Sequence, residues 1–159
     1  MDINEIYKKE KIINSYFRKK YDYNNEEIFN KQVLELLCEL SEFAYETKCF
    51  KYWKNEKQSS PEITIAEFAD CLMITLCFCD LANIETLIID KADEENMVSL
   101  FIETYKITST LSIDLEKGKL MKILSNLLSI SKLLNYSDEQ LYNYCINKMD
   151  KTLNMISGN

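Results

Sequence analysis

Two pairs of acidic residues, Glu39/Glu42 and Glu67/Asp70, have types and spacing that suit the capture of a hard cation. Each pair is three positions apart in a stretch that reads as helix, so its members share one helical face. Two such helices packed together would aim four anionic groups into one small volume, where they repel each other unless a cation intervenes. Mg²⁺ favours carboxylate and phosphate oxygens and keeps waters that can be activated for attack. The pattern points to metal-assisted attack by water.

The surroundings of the second pair sharpen this reading. From Ile63 to Ala82 the chain is apolar almost all round a helical wheel, with Phe68, Leu72, Met73, Ile74, Leu76, Cys77, Phe78 and Leu81, which predicts a central, buried helix. Acids placed there require cationic partners, because a buried unpaired carboxylate protonates. No Lys or Arg occurs between Lys57 and Lys91. Metal is the favoured partner, with an ion pair to a distant helix as the alternative. In the preceding helix Glu35, Glu39, Glu42 and Glu46 fall within an arc of roughly 60° at about 100° per residue. An ordinary solvated face would look similar, yet like charges so placed destabilise a helix.

Elements able to position these groups are long helices. The 159 residues contain two glycines, Gly118 and Gly158, and one proline, Pro61, too little turn chemistry for many short strands. The expectation is an all-α fold of about six helices around a four-helix core, in one domain spanning 1–159. Two isolated glycines cannot write a Gly-rich phosphate loop. Histidine is absent, which removes Ser-His-Asp and Cys-His catalysis and leaves carboxylates, Lys, Tyr and cation-activated water as proton movers. Six cysteines lack paired spacing and read as reduced fillers, with Cys38, Cys71 and Cys77 expected in the core. A net charge of −7 argues against nucleic acid as a partner but not against a phosphorylated small molecule. With no bilayer-length apolar run and no targeting segment, the expected location is the cytoplasm, or a host cytoplasm if the gene is viral.

Along the chain, a Lys-rich amphipathic helix is predicted from about Asn4 to Tyr21, carrying Ile6, Ile12, Ile13, Tyr16 and Phe17. Asn24–Asn25 caps a second helix to about Phe50, and Ser60-Pro61 launches the buried third, ending near Asn83. Asp90–Glu94 restarts the chain into a fourth helix reaching Leu111. After a break near Glu116–Gly118, Leu120–Leu134 forms a fifth, and the Ser137–Gln140 capping box opens a sixth to about Ile156.

The run Glu39-Leu40-Ser41-Glu42-Phe43-Ala44-Tyr45-Glu46-Thr47-Lys48-Cys49-Phe50-Lys51-Tyr52-Trp53, followed by Glu67-Phe68-Ala69-Asp70, resembles the all-α dimeric dUTPases, part of the wider all-α NTP pyrophosphatase superfamily that includes MazG-like proteins. The matching stretch runs from about Gln32 to Ala82. The resemblance implies a helical homodimer that hydrolyses dUTP to dUMP and pyrophosphate. It implies Glu39, Glu42, Glu67 and Asp70 as Mg²⁺ ligands, with Glu39 or Glu42 also orienting or deprotonating the attacking water. It further implies Asn14 at the base, Lys51 and Lys148 near the phosphates, and Trp53 near the nucleoside or a lid over it. For Trp53 the alternative is an anchor packing the helix-to-loop corner, and for Lys51 a solvated surface lysine.

Departures from the family pattern mark this chain. Where the family carries D-x-L-H-F, the sequence reads Asp70-Cys71-Leu72-Met73-Ile74, without the histidine. The family's uracil-reading glutamine falls near Glu10. The C-terminal Lys/Asn/Arg-rich segment is represented by Tyr144, Asn147, Lys148, Lys151, Asn154 and Gly158-Asn159. These departures leave two other readings open: a catalytically impaired helical protein acting as a regulatory or interaction module, or a pyrophosphatase of different base specificity.

Overall fold

The computed structural model describes residues 1–90 and 96–158, so Lys91–Glu94 of the expected fourth-helix start, and Asn159, lie outside the described residues. The described residues form six helices: α1 (Ile3–Lys20), α2 (Glu26–Thr47), α3 (Pro61–Leu81), α4 (Met97–Ser109), α5 (Lys117–Leu133) and α6 (Asp138–Ser157). Among the described residues there is no strand, and the fold is all-α.

Side-chain caps set most helix starts. Asp2 accepts from the backbone N–H groups of Asn4 and Glu5, and Asn25 from those of Glu27 and Ile28. Asn96 caps α4 through Ser99, and Ser137 and Gln140 form a reciprocal capping box at α6. Pro61 occupies the first turn of α3, where its missing N–H costs nothing, while Ser60 makes no side-chain cap bond. With so few glycines, left-handed turns fall to other residues. Lys48 (φ 58°) ends α2, and Asn83 (φ 54°) and Asn135 (φ 62°) follow α3 and α5. Thus α2 stops at Thr47, three residues short of expectation, and α5 starts at Lys117 with Gly118 inside its first turn rather than at a break.

Helices α2, α3, α5 and α4 pack in a closed ring, each against the next, which is the four-helix core. Helices α1 and α6 pack on each other and on α3. Four neighbours surround α3, and this is why it is apolar on nearly every side. Phe43 of α2, fully buried, meets Phe68 of α3 at 6.1 Å and Phe101 of α4 at 5.3 Å between ring centres, both edge-on. Phe29 and Phe78 form a second α2–α3 ring contact at 5.4 Å.

Some side chains lie elsewhere than expected. Cys38 is exposed, because it shares the outward face of α2 with Leu34, Ser41 and Tyr45; Cys71 and Cys77 are buried. Helix α1 packs through Ile6, Tyr7, Glu10, Ile13 and Asn14, which turns Ile12 and Tyr16 to solvent. No helix among the described residues is long and apolar enough to cross a membrane.

Candidate functional site

The core that joins α2 to α3 also brings their acids together. Glu39, Glu67 and Asp70 each offer a carboxylate oxygen, and these three oxygens all lie within 4.8 Å of one another. Glu42, one turn along α2 from Glu39, stands outside that grouping and is exposed, yet it is electrostatically coupled to both Glu39 and Glu67. All three gathered acids are half-buried rather than sealed in the core, since they sit where the polar arc of α2 meets the flank of α3.

Burial and mutual repulsion dominate the electrostatics. Glu39 is pushed up to about 7, first by desolvation and then by Asp70, Glu42, Glu67 and Glu35. Glu67 is raised by desolvation, then by Glu42, Asp70 and Glu46, with Lys148 acting the other way. Glu35 is raised by desolvation and by Asp70. Among the described residues one cation enters the group: Lys148 of α6 donates from Nζ to Oδ1 of Asp70. Hence Asp70 finds its basic partner on a distant helix, while Glu39 and Glu67 form no ion pair among the described residues. Three convergent hard oxygen donors against a single ammonium suit a divalent cation such as Mg²⁺.

Beside the acids, a cavity of about 150 Å³ is lined by side chains of α1, α2 and α3 together with Tyr23. Its polar lining comprises Glu10, Asn14, Gln32 and Glu35, with Ile13, Phe17, Met73 and Ile74 among the apolar walls. Two buried side-chain atoms there have no hydrogen-bond partner among the described residues, Asn14 Nδ2 and Gln32 Oε1. An orphaned donor and an orphaned acceptor in one cavity are a ready-made receptor for a ligand with complementary polar edges. Glu10 is buried, and desolvation followed by Asp80 pushes its carboxyl up to about 8.

The family model described as dUTPase matches residues 2–156. The chain belongs to the dUTPase family. It is accordingly a dUTP diphosphatase-like hydrolase. Comparisons with curated proteins and with solved structures give no match. The family match takes in α1, which lines the cavity, and α6, which carries Lys148, well beyond the Gln32–Ala82 stretch whose motifs resemble the dUTPases.

Two other family-implied residues lie past the end of α2. Lys51 pairs with Glu56 and lies 5.4 Å from the centre of the Tyr45 ring, rather than standing free in solvent. Trp53 is 62% exposed, with ring contacts to Phe50 and Tyr52, so it does not anchor the corner as a buried residue would. Gln32 and Glu35 line the cavity although neither belongs to the acid pairs or to the run that resembles the dUTPases. Their signal lies in register, since Gln32, Glu35 and Glu39 follow at i, i+3 and i+7 on one side of α2.

Proposed function

We propose that this dUTPase-family chain hydrolyses dUTP to dUMP and pyrophosphate with Mg²⁺ held by Glu39, Glu42, Glu67 and Asp70. The gathering of three of these carboxylates within 4.8 Å, in a chain matched by the family over residues 2–156, carries the reading. When bound, the cation neutralises phosphate charge and lowers the proton affinity of water. Glu39 or Glu42 orients the attacking water and accepts its proton as the water oxygen bonds to phosphorus and the anhydride bond between the α- and β-phosphates breaks, giving dUMP and pyrophosphate.

The other residues select and hold the nucleotide. Asn14 and Gln32, with their unsatisfied amide atoms, read the edge of the base in the cavity between α1, α2 and α3. Lys148 and Lys51 serve the phosphates, and the exposed Trp53 closes over the nucleoside. The acting unit is one domain, a reading supported by a core cluster to which all six helices contribute. It acts as a homodimer in the cytoplasm, and its net charge of −7 favours no nucleic-acid partner.

Pyrophosphate release from dUTP by the purified chain tests this directly. Wild type releases it with Mg²⁺, and Glu42→Gln and Asp70→Asn release none while retaining the wild-type melting transition. Activity surviving in both variants overturns the assignment of the acids.

A further inference from the structure

The position of Lys148 has a consequence for cation binding itself. Its ammonium occupies Asp70 Oδ1, and Asp70 is the carboxylate that Glu35, Glu39 and Glu67 all feel electrostatically. It is the one cation that reaches the three gathered acids through an ion pair among the described residues. The pair is only partly shielded, with side-chain exposures of 33% for Lys148 and 34% for Asp70, so exchange with solvent ions is open to it. Lysine suits such a role, because its ammonium is a compact point charge on a flexible stem rather than a rigid fork. Its partner residue is also a proposed metal ligand, and one carboxylate oxygen cannot serve an ammonium and a hard cation at full strength together.

We infer that Lys148 is a built-in, displaceable counter-ion: it holds the acidic cluster together before the cation arrives and competes with that cation for Asp70. This rests on the reading of Glu39, Glu67 and Asp70 as a metal centre, and adds that the chain sets its own cation affinity through α6. Displacing Lys148 also releases an ammonium next to the place where phosphate charge would lie. Cation binding and readiness for an anionic substrate are thereby linked, without any further moving part.

Calorimetric titration of the full chain with Mg²⁺ or Mn²⁺, without nucleotide, separates the outcomes. Lys148→Met removes the charge and keeps the stem, and should bind the cation about fivefold more tightly than wild type, the size of one partly exposed ion pair. Lys148→Arg keeps the charge and should stay near wild type. In wild type with ¹³C-dimethylated lysines, the Lys148 signal, assigned by its loss in Lys148→Arg, should move with the same midpoint as the calorimetric titration. This holds the proposal to account even if Lys148→Met fails to fold. Unchanged or weaker affinity in Lys148→Met, or a Lys148 signal indifferent to the cation, overturns the counter-ion role and leaves the metal centre standing. A wild type that binds no divalent cation and hydrolyses no dUTP overturns both.

Discussion

The Phe43 ring meets the Phe68 ring edge-on at 6.1 Å, and this contact joins the two helices that carry the acids. Phe43 follows Glu42 directly and Phe68 follows Glu67, so the apolar contact sets the helix spacing while the preceding residues fall on the polar flank. Both rings are fully buried.

Phe43→Ala should therefore remove stability and site geometry together. Loss of a buried phenyl ring costs about 3–5 kcal/mol. Urea unfolding should report that loss, and affinity for Mg²⁺ should fall in the fraction that remains folded. A variant with wild-type cation affinity would show that the α2–α3 ring contact is not what assembles the acids.

Neutralising one acid should separate stability from function. Glu67 is destabilised in its charged form by burial, Glu42 and Asp70, so Glu67→Gln should leave the metal-free protein as stable as wild type or up to about 1 kcal/mol more stable, roughly 2–4 °C in melting temperature. The rise in melting temperature that Mg²⁺ gives wild type should shrink or vanish in the variant. Thermal scans with and without Mg²⁺ measure both effects.

Glu10 should imprint a pH dependence on folding. Its carboxyl sits near 8 in the fold, against about 4.5 when unfolded. Below 4.5 both states hold the proton and Glu10 makes no difference. Between 4.5 and 8 the unfolded chain gives up its proton first, so stability falls as pH rises, by a total of order a few kcal/mol. Denaturant midpoints of wild type and Glu10→Gln, compared from pH 5 to 9, should converge at the acid end and separate in favour of the variant at the alkaline end.

Much of this architecture could be read from residue order. Asn25, Pro61, Ser137 and Gln140 mark helix starts by known cap chemistry, and the uniform hydropathy of α3 foretold a helix surrounded by others. The α2 end was less legible, because Lys48 takes a left-handed conformation that no glycine announces. The acid pairs were visible through their i, i+3 spacing, since that regularity is local. Lys148 is 78 positions from Asp70, and the cavity draws on α1, α2 and α3, so neither relationship exists before the helices pack. Nor does the spacing alone show that Glu42 stands outside the group of oxygens that Glu39, Glu67 and Asp70 form.

Trp53 offers a test at the rim. Being largely exposed, it contributes little to the core, and Trp53→Ala should change stability by no more than about 0.5 kcal/mol. If the ring closes over the nucleoside, KM for dUTP should rise several-fold with the fold intact. Steady-state kinetics with matched melting curves decides between this and a ring without a ligand role.

The central claim is that the carboxylates of α2 and α3 hold a cation that lets this chain cleave a nucleoside triphosphate. A panel of dUTP, dCTP, dTTP, dATP and dGTP, each assayed for pyrophosphate with Mg²⁺ and again with the ion chelated, tests it most directly. The account predicts turnover of dUTP above the others, lost on chelation and restored by added Mg²⁺. No turnover of any nucleotide, or turnover of dUTP that persists without a divalent ion, would contradict it.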